Sequence, residues 1–280
     1  METGEEPLAV NRRPAVAGMF YPSNKDELKT LISKLLTDSQ PENIPQNILG
    51  IISPHAGYIY SGATAAYAYN SIIGKNFKTV IILSPSHREY FYGVCIYDGN
   101  TYETPLGVVE IDKEMANKIT LGSKFISIGD KGHSSEHAVE VQIPFLQSVL
   151  KNFKIVPMVM GDQSLEIINE TAKQIANAAD ENTLIVASSD LSHFYAKQQA
   201  DKLDSLVAQR INDFDFNQLH EDFEKQRCEA CGGGLIITLM KAASLMNKNQ
   251  SMILHRSDSG DVSGDNSEVV GYLSAVIYGD

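Results

Sequence analysis

The sequence predicts one α/β domain built on a mostly parallel sheet covered by helices on both faces. Three observations lead there. Short apolar runs at 48–52, 79–83, 154–160 and 183–187 have the length of buried strands. Segments with helical periodicity separate them, as parallel strands require. Several of the runs stop abruptly at Ser-Pro or Ser-Asp, which places polar loops at their C-terminal ends. Ligands gather at that edge in open α/β sheets. With 280 residues, no internal repeat and no linker, the chain predicts a single domain over 11–280 behind a disordered tail at 1–10.

The elements follow in order. Residues 12–22, closed by Pro22, read as an extended segment. Ser23 is placed to cap a helix over 25–36, with Leu28, Leu31, Ile32 and Leu35 on one face. The 48–52 strand runs into Ser53-Pro54-His55-Ala56-Gly57, and Ser61 is placed to cap the next helix. The 79–83 strand ends at Ser84-Pro85-Ser86-His87. A strand at 93–97, a turn at Asp98-Gly99-Asn100, a loop over 101–107 and a helix over 112–120 come next. A helix opens at Ser134 with His137 and Glu140 on one side, and Pro144 should kink it. After the 154–160 strand, a helix carries Leu165, Ile168, Ala172, Ile175 and Ala179. The 183–187 strand leads to Ser188-Ser189-Asp190-Leu191-Ser192-His193. Helices over 198–212, 216–226 and 235–246 precede two strands, 251–256 and 269–278. Between these the Ser-, Asp- and Gly-rich stretch 257–267 reads as a mobile loop.

Composition narrows the function. The net charge of −12 and the scatter of Lys and Arg among acids argue against nucleic-acid binding. No apolar stretch reaches the ~20 residues of a membrane span. The acidic N-terminus lacks the apolar core of a secretion signal. Three cysteines give no disulfide framework, so a cytoplasmic protein is expected. There is no G-x-x-x-x-G-K-[ST], no G-x-G-x-x-G after a strand and no G-x-S-x-G, which removes those nucleotide-binding and hydrolase routes.

The chemical signal is three histidines, His55, His87 and His193, delivered by three strands to one sheet edge. Neutral imidazole is the commonest metal ligand. His55 and His87, after matching Ser-Pro frames, can share an ion or can each be a loop residue bonded to backbone. Asp190 can orient a ligand histidine or cap a helix; His193 can be a ligand or a proton shuttle. His137 and Glu140 can form a ligand pair, a base with its orienting acid, or an exposed salt-bridged face. Val141, where a second histidine would stand, removes the H-E-x-x-H proteases. Cys228 and Cys231 form a lone C-x-x-C, short of a closed zinc site. Cys231 precedes three glycines and a helix, where the dipole favours a thiolate. It can be a soft metal ligand, a nucleophile with His193 as base, or a small residue at a tight turn. Cys95 reads as core. Tyr58, Tyr60, Tyr67, Tyr69, Tyr90 and Tyr92 surround the two histidine loops and can line a cleft for an apolar small molecule or a peptide, or pack half-buried.

Seven stretches, in order, resemble the Memo family (mediator of cell motility). They are 13–22, Pro54-His55-Ala56-Gly57-Tyr58, Ser84-Pro85-Ser86-His87, Thr104-Pro105-Leu106-Gly107, 136–145, 188–193 and Cys231-Gly232. The resemblance implies a three-layer α/β/α domain with a mixed central sheet, like the class III extradiol dioxygenases. Those enzymes hold a non-haem iron with two histidines and a glutamate. Carried over, the resemblance makes His55 and His87 metal ligands and puts Cys231 where the dioxygenases have Glu. It makes His193 a proton shuttle with Asp190 beside it. Asp190 or Glu136 is expected to orient the ligands, and His137 is counted with them among the catalytic residues. Thiolate in place of carboxylate favours iron or copper, with zinc possible. The implied activity is a metal-dependent, dioxygenase-like redox step on an unknown small molecule; the alternative is a non-enzymatic adaptor with a vestigial site. AMMECR-type and radical-SAM proteins are the implied partners.

Overall fold

The computed structural model describes residues 11–279; the tail expected at 1–10 lies outside them. The elements are β1 (Asn11–Arg12), α1 (Lys25–Asp38), β2 (Asn47–Ser53), α2 (Tyr58–Asn70), β3 (Thr79–Pro85), β4 (Val94–Tyr97), β5 (Thr101–Thr104) and β6 (Gly107–Glu110). Then come α3 (Lys113–Thr120), β7 (Ile126–Gly129), a 3₁₀ turn (Glu140–Gln142), α4 (Ile143–Val149), β8 (Lys154–Met160) and α5 (Leu165–Ala178). The chain finishes with β9 (Thr183–Ser188), β10 (His193–Tyr195), α6 (Lys197–Asn212), α7 (Phe216–Glu224), α8 (Gly233–Leu245), β11 (Gln250–Asp258), α9 (Gly260–Ser263) and β12 (Val269–Gly279).

The main sheet runs β10-β12-β2-β9-β3-β8-β4-β7, with β11 on the other edge of β12. A parallel heart, β2-β9-β3-β8, is flanked by antiparallel strands, so the sheet is mixed rather than mostly parallel. The reason lies in the connections. A parallel return needs a crossover of a dozen residues or more. Residues 86–93 between β3 and β4, and 259–268 between β11 and β12, are too short for one.

Alternate residues of the central strands feed two cores. Ile52, Ile81, Leu83, Ile185 and Ala187 pack under one set of helices, with Leu235 and Leu239 of α8 and Ile168 of α5. Ile51, Val80, Ile82, Leu184 and Val186 pack on the other face with Leu28 of α1 and Tyr69 of α2. Buried side chains on both faces explain why these strands read as continuous apolar runs. The result is an α/β fold with helices on both sides of the sheet.

Several local expectations are corrected. Asn24, not Ser23, caps α1, accepting from the backbone N–H groups of Asp26 and Glu27. Helix α2 starts at Tyr58, and Ser61 Oγ donates instead to the Ala56 carbonyl. No helix opens at Ser134. The chain makes turns to Val139, and Pro144 sits in the first turn of α4, where its missing N–H leaves no bond unmade. The 101–107 loop is part of the β5–β6 hairpin, which pairs with β1 in a small second sheet. The 257–267 stretch contains α9 and is tied down by Lys197, whose ammonium bonds both Asp258 and Asp261.

Candidate metal centre

The site is assembled at the C-terminal ends of β2, β3 and β9. His55 follows β2, and its backbone N–H donates to Asp190 Oδ1 at 2.8 Å. Its Nδ1 lies 2.9 Å from Ser188 Oγ at the end of β9. The Ser188 hydroxyl donates its only proton to the Ala138 carbonyl (2.8 Å) and accepts from Gln142 Nε2 (2.8 Å). Nδ1 of His55 must therefore be the donor, which leaves a lone pair on Nε2.

His87 is fixed the same way from the loop after β3. Its backbone N–H donates to Glu136 Oε2 at 2.6 Å, and its Nδ1 to Glu136 Oε1 at 2.9 Å. An ionised carboxylate only accepts, so Nδ1 of His87 is the donor and Nε2 is the nitrogen left to bind an ion. Burial alone would raise the Glu136 pKa, but bonds from the His87 ring and backbone and from Ala138 N–H outweigh it and hold the value at about 2. Glu136 is thus a buried anion that orients His87.

His137, next to Glu136, completes the group. One donor atom from each of His55, His87 and His137 lies within 4.8 Å of the others. Ring centroids are 5.0 Å apart for His55 and His87, 5.4 Å for His55 and His137, and 4.7 Å for His87 and His137. His137 Nδ1 is buried and makes no well-aligned hydrogen bond, with Glu136 Oε1 3.3 Å away. Burial, with His87 nearby, lowers the His55 pKa to about 3; burial, with His55 nearby, lowers that of His137 to about 4. Both rings are neutral near pH 7, the form that binds metal.

Arg12 secures the segment that carries these residues. Its Nε donates to the His133 carbonyl and its Nη1 to Glu140 Oε2, at 2.8 and 2.5 Å. Glu140 is no exposed face, as the sequence left open: it is fully buried and also accepts from Ala15 N–H, Val16 N–H and the Tyr21 hydroxyl. The lone Arg12 gave no sequence signal for this role.

Cys231 reaches the same place from the turn before α8. Its Sγ lies 3.2 Å from His55 Nε2 and accepts from Asp190 N–H at 3.3 Å. Gly232 makes this possible: a Cβ there would sit 2.5 Å from the Ser188 carbonyl oxygen. Burial, then the neighbouring Asp190 charge, push the thiol pKa well up, so the helix dipole does not set the ionisation of the free thiol. Burial likewise raises Asp190, which serves His55 rather than a helix cap. His193 begins β10, its N–H bound to Glu229 Oε1 at 2.9 Å and its ring 5.7 Å from that of Phe194.

The whole arrangement lies within a stretch, residues 12–276, that matches the family described as Memo-like protein. The chain belongs to the Memo family. It is similar to a MEMO1 family protein of Nitrosopumilus maritimus, 41% identical over 267 residues that span 93% of this chain and 97% of the relative. A MEMO1 family protein of Thermoplasma volcanium is 38% identical, spanning 95% of this chain and 97% of its own. A third, from a Thermotoga strain, is 37% identical over 282 residues, spanning 96% of this chain and all of its own.

The residues of this Memo family chain fit a metal ion. Three imidazoles converge, and for His55 and His87 the partners of Nδ1 leave Nε2 as the nitrogen that faces the group. Donors about 2.1 Å (N) and 2.3 Å (S) from one ion stand roughly 3.1–3.6 Å apart at bond angles of 90–110°, and the Nε2–Sγ distance of 3.2 Å falls in that interval. The geometry groups His137 with His55 and His87, where the sequence paired it with Glu140 and counted it with the catalytic residues. The tyrosines divide. Tyr58 and Tyr69 are core residues against Phe145, Tyr67 stacks on His255, and the exposed Tyr90 and Tyr92 bond Asp162 and Glu166. Cys95 is buried in β4, as expected. Among the described residues, no helix is long and apolar enough to cross a membrane.

Proposed function

We propose that this protein is a single-metal enzyme acting on a small molecule, with His55, His87 and His137 holding the ion and Cys231 beside it as a sulfur donor. The observation that supports it most is the fixed tautomers: Ser188 and Glu136 each take an Nδ1 proton, so Nε2 of His55 and Nε2 of His87 are ready to bind before any ion arrives. A bound iron or copper ion would supply redox or Lewis-acid chemistry, and imidazole with thiolate suits either, or zinc. This extends to the extradiol-dioxygenase-like reading of the family resemblance.

The chain's own groups divide the remaining work. Glu136 stays ionised and keeps the proton on His87 Nδ1. Ser188, tied to Ala138 and Gln142, does the same for His55. Asp190, buried with a raised pKa, sits with Oδ2 4.0 Å from His55 Nε2 and can hold a proton on that oxygen. His193, half-exposed at the sheet edge, is assigned proton movement between the site and solvent.

Oxygen uptake by protein loaded with Fe(II) or copper, against a panel of catechols and related phenols, tests the redox reading. Substrate-dependent uptake that His193→Ala slows at full metal content supports it. Fully loaded protein that consumes no oxygen with any of them overturns the dioxygenase-type assignment.

A further inference from the structure

A cavity of about 590 Å³ opens at the same turn that carries Cys231. Its wall includes Cys228, Glu229, Ala230, Gly233 and Gly234, the residues on either side of that cysteine. The volume is in the range of small-molecule sites.

The lining has a definite chemistry. Ile168, Leu203, Phe223 and Ile237 form an apolar wall, and Glu224 and Glu229 place two carboxylates at it. No Lys or Arg of the described residues lines it. Glu229 is held in place, accepting from His193 N–H at 2.9 Å and from the Tyr195 hydroxyl at 3.2 Å. Glu224 is exposed and forms no hydrogen bond or ion pair among the described residues.

The N-terminus of α8 also faces this space, and helix N-termini attract anions. Here its donors are already used. Gly232 N–H donates to Ser189 Oγ, Gly233 N–H to the Ala230 carbonyl and Gly234 N–H to Gln163 Oε1, at 2.9, 3.1 and 2.7 Å. At the helix N-terminus an anion would find no free donor and two carboxylates nearby, with His220 and Gln226 as the other polar side chains besides Gln163 and Tyr195; a cation would find the carboxylates and an apolar wall for its body.

We propose that this cavity binds a small organic cation, a primary ammonium or guanidinium on an apolar body, with Glu224 as counter-ion. Calling it the substrate's site rests on the metal-enzyme reading; the binding itself does not. Glu229 connects the two, because the carboxylate at the cavity wall also holds the backbone of His193.

The test is calorimetric titration of the full chain with phenethylammonium at pH 8 and low salt, with 2-phenylethanol and phenylacetate as comparators. Saturable binding of the ammonium is expected, with the alcohol about tenfold weaker, the value of roughly one charge pair at a partly exposed site, and no binding of phenylacetate. Glu224→Gln should weaken the ammonium about fivefold to tenfold, and Glu224→Lys should abolish its binding with the circular dichroism spectrum unchanged. His87→Ala, whose metal content bears on the proposed function alone, should bind the amine as the wild type does. The proposal is overturned if the wild type binds no ammonium, if ammonium and alcohol bind alike, if Glu224→Lys binds normally, or if folded His87→Ala loses the amine.

Discussion

Nε2 of His55 and Sγ of Cys231 stand 3.2 Å apart although 176 positions separate them in the chain. Two tethers produce that approach. Asp190 receives the backbone N–H of His55 on its side chain, while its own N–H donates to the Cys231 sulfur. Gly232 lets the start of α8 lie against the end of β9.

Cobalt(II) substitution reads this contact. Loaded wild-type protein should show a near-ultraviolet sulfur-to-cobalt charge-transfer band. Cys231→Ser should lose the band and keep the ion on the imidazoles. An unchanged spectrum in the variant would remove Cys231 from the coordination sphere.

In the proposed centre, Glu136 would act on the ion through His87. Replacing an orienting acceptor of this kind costs about 10–100-fold in metal affinity. Glu136→Gln, which keeps one acceptor oxygen for Nδ1, should fall near the low end and Glu136→Ala near the high end. Competition against a chelator measures both; equal affinities in all three proteins would contradict the assignment.

The Arg12–Glu140 pair is a stability element. Removing one partner of a buried pair leaves an uncompensated charge and costs about 3–5 kcal/mol. Arg12→Met should lower unfolding free energy by that amount in urea, and metal affinity should fall with it because Arg12 also anchors the His133 carbonyl. A loss under about 1 kcal/mol would show that the pair is not what holds this segment.

Asp204 carries a pH signature. Burial raises its pKa to about 6 against an ordinary 3.8, despite the bond it accepts from Ser192 N–H. An acid raised by folding favours the folded state while protonated, below about pH 4, and that contribution is lost as pH rises through about 6. Two units correspond to roughly 2–3 kcal/mol. Asp204→Asn should therefore gain about that much stability relative to wild type between pH 4 and pH 7. A constant difference across that interval would place the Asp204 pKa near its ordinary value.

Much of this was legible in the sequence. The 48–52, 79–83, 154–160 and 183–187 runs are strands because both their faces are covered, and that makes an unbroken apolar signal. The two Ser-Pro-punctuated histidines were visible for the same reason: each follows such a run. The antiparallel flanks are not legible in the residues themselves, since β4 and β12 carry no mark of direction and only the short connections reveal it; the family resemblance alone implies a mixed sheet. The place of His137 is hidden because the apolar spacing over 139–150 suggests a helix from Ser134 where the chain makes turns. Arg12 and Ser188 act through long-range hydrogen bonds, which leave no periodicity to find.

Metal content of protein reconstituted with Fe(II) under anaerobic conditions, measured by elemental analysis after desalting, tests the three-imidazole centre most directly. The account predicts about one ion per chain in the wild type and much less than one in each of His55→Ala, His87→Ala and His137→Ala, with the fold retained. A His137→Ala protein that keeps a full equivalent, tightly held, would contradict it.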